Sequence, residues 1–375
     1  MAGGSRDILV VGAGPVGLAV ALELARRGFS PRLVDDGEGP TPLAESRALG
    51  INARTLTLLS PSGVADRILA EAQDIAHFRV RSRTRLLAEV DTHVIKGRFS
   101  AIRGLSQGAT ERILLSALAG YGIVPEWQTR VSVTAPDAIR PGVRLRHHDG
   151  TEQALSVDIL IGADGAHSAV RKAIGLGFPG QALEAHFYLA DFRYGQPVDS
   201  HFAEISLYDP GMIGRLPVSA DTLRFISTLP DFERRIVHPD AILAKTWSSQ
   251  FQIHFRHVAA MSKGNVFLAG DAAHIHSPAG ARGMNLGIED ACWLAHLISE
   301  GRERDYSDLR MPAVRQVLKQ TRRLTRLVTM QQPLATAVRD RLVPLLFRVP
   351  AVRRLLLRSI AGYDTAKPPW ISGAF

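Results

Sequence analysis

The sequence predicts an α/β fold: a parallel-sheet domain assembled from separate stretches, an antiparallel β-sheet inserted into it, and a helical C-terminal segment. Three observations predict it. Continuous apolar runs at Asp7–Val11, Val157–Gly162 and Val266–Ala269 each lead into a glycine-bearing turn, as buried parallel strands do. From Phe178 to His257 the texture changes to short alternating segments punctuated by Pro and Gly. From residue 301 onward the pattern is helical and strongly basic.

A chain of 375 residues, 46% of them hydrophobic, is too long for one compact core. The expected division is a discontinuous first domain (1–70, 105–177 and 262–300), a second (71–104 and 178–261), and a basic helical segment (301–375). A single cysteine, Cys292, excludes an internal disulfide, a CxxC redox pair and a cysteine-rich metal site. A reduced, cytoplasmic setting fits that usage. The apolar stretch from Ile8 is broken by Gly12, Gly14, Pro15 and Gly17, so it reads neither as a leader nor as a membrane span. The net charge of +9 is concentrated in the tail. Between Arg310 and Arg358 twelve Lys/Arg face one acid, Asp340.

The first element is the strand from Asp7 to Val11, followed by Gly12-Ala-Gly14-Pro15-Val-Gly17 and a helix over Leu18–Ala25 that Gly28 stops. Pro31–Asp35 is the next strand, ending on an acid 21 residues after Gly14. Glycines permit the tight turn and let the backbone approach a pyrophosphate, which the helix N-terminus attracts; Asp35 would accept from a ribose hydroxyl. This is a Rossmann-like dinucleotide fingerprint, and alone it leaves FAD and NAD undistinguished. An amphipathic helix follows over 107–121, burying Ile113, Leu114, Ala117 and Leu118. In the alternating region the expected strands are His186–Tyr194, His201–Tyr208, Leu223–Leu229 and Gln252–Val258. Near the far end, the strand Val266–Ala269 ends in Gly270-Asp271, presenting a carboxylate to a hydroxylated ligand chain. The turn Pro278-Ala-Gly-Ala-Arg-Gly283-Met284-Asn285 then runs into a helix over Gly287–Ile298. Its backbone N–H groups could stabilise negative charge developing on a flavin edge.

Gly270-Asp-Ala-Ala-His274 through Gly283-Met-Asn-Leu-Gly-Ile-Glu-Asp-Ala291 resembles the flavin-binding signature of the para-hydroxybenzoate hydroxylase-like FAD monooxygenases. Ile161-Gly-Ala-Asp164-Gly165-Ala-His-Ser-Ala-Val-Arg171, Glu45-Ser-Arg47 and Gln107-Gly-Ala-Thr-Glu111 resemble three further motifs of that family, in the same order. The resemblance spans Asp7 to Ile298. It implies a Rossmann-like FAD domain with Asp271 at the ribityl chain, Asp164 and Gly165 near the pyrophosphate, Arg171 supporting the turn, and Arg47 and Gln107 along the cofactor. It further implies NADPH or NADH as a transient donor, because no second GxGxxG unit exists, and O2 with a small aromatic, polyketide or quinone-like substrate hydroxylated through a flavin hydroperoxide. A reductase or dehydrogenase on the same scaffold, or a flavin-binding protein without turnover, remain the alternatives. Two departures stand out. Ala281-Arg282 replaces the usual Gly-Gln before Gly283, and Asp36 follows the ribose acid where many members carry a basic residue.

Other residues carry less. Tyr188, Arg193, Tyr208, Arg215, Arg224 and His254 are candidates for a substrate pocket, each more simply read as a sheet or surface residue. His274 and His276 read as structural rather than metal-ligating, and Cys292 as a small buried apolar residue. The catalytic base is not identified. In the tail, Pro333, Pro344 and Pro350 are expected to break the helices. Its apolar faces are expected to pack on the FAD domain or a second subunit, with peripheral contact of residues 310–358 to an anionic membrane as the alternative. Nucleic acid is not expected, because no aromatic residues interleave with the arginines.

Overall fold

The computed structural model describes residues 6–43, 45, 48–83, 85–95, 97–209, 211–236, 239–330 and 332–371. Among these, five strands form a sheet in the order Ser262–Lys263, Val266–Leu268, Ile159–Gly162, Ile8–Val11, Arg32–Val34. The last four run parallel, with Ile8 beside Ile159, Val11 beside Gly162, and Ile161 beside Phe267. Ile8–Val11 and Ile159–Gly162 are buried at every position, which is why they are written as unbroken apolar runs. The helix Pro15–Ala25 packs between Gly283–Ser299 and Gln107–Ala119 on this sheet. The carboxyl ends of Ile8–Val11, Ile159–Gly162 and Val266–Leu268 thus carry three glycine turns at one edge.

The second large sheet has eight strands, in the order His274–Ile275, Ile242–His257, Gly180–Tyr194, Thr222–Ser227, Met212–Pro217, Phe202–Leu207, His77–Ser82, Arg85–Asp91. Its pairings are antiparallel except that of Phe202–Leu207 with His77–Ser82, which is parallel. That exception follows from connectivity: the hairpin His77–Asp91 arrives from an earlier stretch and is free of hairpin geometry toward its neighbour. Two strands are far longer than their alternation suggested, Gly180–Tyr194 and Ile242–His257, whose pairing is kept in step by register shifts at three points. A three-stranded meander (Arg130–Ala135, Gly142–Arg146, Glu152–Ser156) completes the β content near the first sheet, together with the small sheet of Gly50–Asn52, Ile102–Gly104 and Gln73–Asp74.

The tail forms Tyr306–Val328, Pro333–Arg348 and Pro350–Ile360. Pro333 and Pro350 open helices, where a missing N–H costs nothing, whereas Pro344 lies inside one without ending it. The carbonyl it leaves without a helical donor is that of Asp340, and Arg85 Nη2 donates to it at 2.9 Å. The expected break at Pro344 is therefore absent. Nor is the tail's charge all solvated: Arg310 and Arg339 are buried.

Candidate functional site

The turn after the first strand is shaped by what glycine lacks. Gly12 sits at φ 103°, and a Cβ there would lie 2.4 Å from the Ala163 carbonyl oxygen. A Cβ on Gly17 would lie 1.7 Å from the Gly12 oxygen, so helix and strand close up only with glycine. Gly14 differs: its φ is −71°, and a Cβ would meet nothing within 4 Å. No protein atom requires glycine at 14, so the open space in front of it is available to a ligand. Pro15 occupies the first helical turn, which has no side-chain cap and no acid, leaving its N–H dipoles free toward that space.

Asp35 closes this turn. Its Oδ2 accepts from the Ala13 N–H at 2.6 Å and its Oδ1 from the Gly37 N–H at 2.7 Å. Asp36 pairs with Arg130 at 2.9 Å. Asp164 Oδ2 accepts from the Ala169 and Val170 N–H groups, capping the short helix Ala169–Ala173, while its buried Oδ1 has no partner. Gly165 follows at φ 73°. Arg171 is buried and donates to the Ala166 and Ala272 carbonyls at 2.9 and 3.0 Å, tying this loop to the one after Gly270. A Cβ on Gly270 or Gly287 would strike Val16, so the first turn, the strand end at Gly270 and the last helix of the site meet at one point.

Asp271 stands there exposed, and no described residue donates to its carboxylate. Protein encloses it on most sides, and that burial pushes its pKa up, partly offset by His274. An accessible carboxyl at the bottom of an enclosing cleft satisfies both observations. Beyond it, His276 Nδ1 contacts the Ser277 carbonyl at 2.9 Å, which makes Nε2 the bare acceptor, buried and unpartnered. Burial lowers the His276 pKa to about 3, so the ring is neutral.

The remaining loop is held by Asn285. Its Nδ2 donates to the Gly50 and Ala281 carbonyls at 2.8 and 2.6 Å, and its Oδ1 accepts the Asn52 N–H at 2.9 Å. The Pro278 carbonyl accepts from Ala281 at 2.9 Å, and Gly283 opens the helix Gly283–Ser299 with nothing within 4 Å of its missing Cβ. Met284 lies partly buried against the core. Gln107 begins its helix beside this region, Nε2 donating to Glu111 at 2.9 Å and to Thr41 at 3.4 Å. Arg47 lies outside the described residues.

Arg282 turns away from this cleft. Its Nη1 donates to the Ser359 carbonyl and to Asp364 Oδ1, the latter at 2.8 Å, with both side chains buried. The cation at the departure from the family pattern is thus spent on anchoring the tail. The six pocket candidates do not converge. Arg224 is buried in a bidentate pair with Asp191 at 2.7 and 2.8 Å, Arg193 is exposed beside it along the same sheet face, and Tyr188 faces the opposite side with Phe192 and Phe225. Arg215 is bound to the Asp199 and Phe202 carbonyls, Tyr208 lies under Arg235, and His254 is partly buried.

Sequence reasoning missed a buried charge network. His274 Nε2 lies 2.6 Å from Asp290 Oδ2, Arg310 Nε lies 2.8 Å from Asp290 Oδ1, and Arg310 Nη1 lies 2.8 Å from Glu289. The signal was present: two adjacent acids in an otherwise apolar helix require a cation. Two cavities, of 530 and 300 Å³, lie elsewhere. The larger opens by Asp7, Gly28 and Ser156, at the strand ends opposite the glycine turns; the smaller lies beside Asp36 and Arg130. Ligands of open α/β sheets sit at the carboxyl ends, so the turns, not these cavities, mark the site.

Fold and loops together define a nucleotide-binding α/β protein whose cradle is built by chain segments far apart in sequence. Residues 5–228 and 227–321 match the family model described as FAD binding domain, and the chain belongs to that family. It is 35% identical over 359 residues to 6-methylpretetramide 4-monooxygenase of Streptomyces rimosus, covering 88% of this chain and 63% of that protein. It is 31% identical over 359 residues to pentachlorophenol 4-monooxygenase of Sphingobium chlorophenolicum, covering 84% and 63% respectively. The chain therefore spans just under two thirds of these relatives. The crystal structure of p-nitrophenol 4-monooxygenase from Pseudomonas putida shares the fold, with a TM-score of 0.87 at 21% identity over 97% of this chain and 99% of that one.

Proposed function

We propose that the protein is an FAD-dependent monooxygenase that uses NADPH or NADH and O2 to hydroxylate a phenolic or polyketide-type aromatic. The observation that carries this reading is the cradle itself: open space at Gly14, a free helix N-terminus behind it, and an exposed, unpaired Asp271 across from it. When bound, FAD supplies hydride acceptance and delivery of one oxygen atom. The chain's own part is to hold and orient it. Gly12, Gly14, Pro15 and Gly17 would seat the pyrophosphate at the helix end, and Asp35 would take a ribose hydroxyl on lone pairs its two backbone donors leave free. Asp164 and Gly165 would flank the pyrophosphate, and Arg47 and Gln107 would lie along the cofactor, Gln107 through its carbonyl since its amide is committed to Glu111. Asp271 would accept from the polyol. The loop from Pro278 to Asn285, locked by Asn285, would aim the N–H groups of Gly283 and Met284 at the flavin edge where charge develops.

The substrate class is inferred from relatives named for a polyketide and a chlorinated phenol. The test is a panel of phenols, quinones and polycyclic polyketides scored for acceleration of NADPH and NADH oxidation, with product analysed under labelled oxygen. Acceleration with one labelled oxygen atom in the product is expected. Rapid oxidation without substrate, and no oxygenated product from any member, would assign the scaffold to a reductase instead.

A further inference from the structure

We infer that the last two helices form a peripheral docking surface for an anionic lipid bilayer. Four residues of Pro333–Arg348 and its C-cap, Leu342, Leu345, Leu346 and Val349, recur at three- and four-residue spacing and so share one helix face. That face points to solvent: the four are 48%, 54%, 49% and 46% exposed. The helix meets the protein through a different face, where Val343 and Phe347 pack on Leu87, Leu207 and Met212. Leu355 of Pro350–Ile360 is 67% exposed, while Leu357 and Ile360 of the same helix are buried. Each helix therefore has a committed inner side and a separate apolar outer side.

Charge identifies the occupant. Arg341 and Arg348, seven residues apart, follow one edge of the stripe, and Arg354 and Arg358 lie along one edge of Leu355's side of the last helix; Arg341, Arg348 and Arg354 are exposed. The single acid between residues 332 and 360 is Asp340, which is taken up by Arg339 at 2.9 Å and by Ser82. The neighbouring hairpin adds to the same character: Arg85, whose side chain reaches the Asp340 carbonyl, and Leu86, 46% exposed. Among the described residues of these two helices every exposed charge is an arginine, and an apolar stripe in such company suits the boundary between anionic headgroups and acyl chains. A second copy of the same face would set arginine against arginine, and nucleic acid offers nothing for the leucines. Continuity of the helix through Pro344 keeps the stripe in one piece. Among the described residues no helix is long and apolar enough to cross a membrane, so the contact is one of lying on the surface.

The experiment is flotation of the flavin-loaded protein with vesicles of phosphatidylcholine alone and of phosphatidylcholine mixed with phosphatidylglycerol, at low and high salt. Binding to the anionic vesicles alone, weakened by salt, is expected. Each interfacial arginine is worth about fivefold in partitioning, so Arg341→Ala with Arg348→Ala should lower it roughly thirtyfold. Leu345→Ser with Leu346→Ser should abolish it. Both pairs are exposed, and unchanged flavin content and melting temperature confirm that the variants fold. Equal binding to neutral vesicles, no binding at low salt, binding indifferent to both double substitutions, or sedimentation velocity showing this face closed in a dimer that the leucine substitutions dissociate, would each overturn the proposal.

Discussion

Arg310, from the first tail helix, meets Asp290 at 2.8 Å in the interior, their side chains 1% and 0% exposed. Burial disfavours the Asp290 charge, but Arg310 and His274 outweigh it, and its pKa is lowered. The other carboxylate oxygen accepts the Gly270 N–H at 3.2 Å. A tail residue thereby fixes the backbone one position before Asp271, the carboxylate we place at the cofactor.

Removing the cation should be costly. Arg310→Met removes the buried cation that bridges Glu289 and Asp290 and leaves only His274 beside Asp290, a loss of about 3–5 kcal/mol. Combining it with Glu289→Gln and Asp290→Asn should recover much of that, because the uncompensated charges go too. Urea unfolding measures both; a single variant as stable as the parent would show the network to be dispensable.

His276 predicts a pH dependence. Its folded pKa of about 3 lies below the ordinary 6.5, so between those values the unfolded chain binds a proton that the folded chain refuses. Stability from this residue is therefore complete above about pH 6.5 and falls as the pH drops toward 3. His276→Asn, whose amide can replace the Nδ1 donor to Ser277, should flatten the slope by close to one proton over that window. Denaturant titrations from neutral to acid pH read it directly, and identical slopes would refute it.

Gly14 and Gly17 should separate binding from folding. Gly17→Ala forces a Cβ into the Gly12 carbonyl and should destabilise by more than about 3 kcal/mol. Gly14→Ala meets no protein atom at an ordinary φ, so its stability should stay within about 0.5 kcal/mol of the parent while FAD affinity collapses. Unfolding in the absence of FAD, beside flavin titration, distinguishes the two.

What could be read in advance follows the range of the forces involved. The strand, turn and helix at 7–36 are encoded by neighbours: an apolar run, glycines and a terminal acid, all within one supersecondary unit. The helix at Gln107 and the strand end at Gly270-Asp271 were legible for the same reason. Arg310 was not, because its partners Glu289 and Asp290 become neighbours only when Tyr306–Val328 folds back onto the preceding helix. Arg282 deceived more directly. Its place in the motif suggested the cleft, whereas its partner Asp364 lies 82 residues on. Arg224, a pocket candidate more simply read as a sheet residue, is one: its partner Asp191 faces it from the adjacent strand, 33 residues away in sequence.

Asp271 should matter for cofactor and little for folding. It is exposed and has no described donor, so Asp271→Ala removes no internal hydrogen bond or ion pair. A hydrogen bond to a charged group is worth about 1.5–3 kcal/mol, so FAD affinity should drop between about tenfold and a hundredfold. Flavin fluorescence titration against a melting curve tests this, and full affinity in the variant would remove Asp271 from the site.

Ala281 gives the sharpest stability prediction, because it is a departure from the family pattern that the backbone resists. It lies at φ 53°, left-handed territory where a side chain costs roughly 1–2 kcal/mol. Its methyl group also occupies the space opposite Gly50: a Cβ built at 50 would lie 2.5 Å from it. Ala281→Gly should relieve the strain, offset by the greater freedom glycine has when unfolded, for a net gain of up to about 1 kcal/mol. Gly50→Ala should destabilise the parent yet be tolerated better in the Ala281→Gly background, since the methyl it strikes is gone. A double-mutant cycle by urea unfolding measures this coupling. Additive effects would mean that the two positions do not meet, and a destabilising Ala281→Gly would mean that the loop gains more from the methyl's packing than it loses to backbone strain.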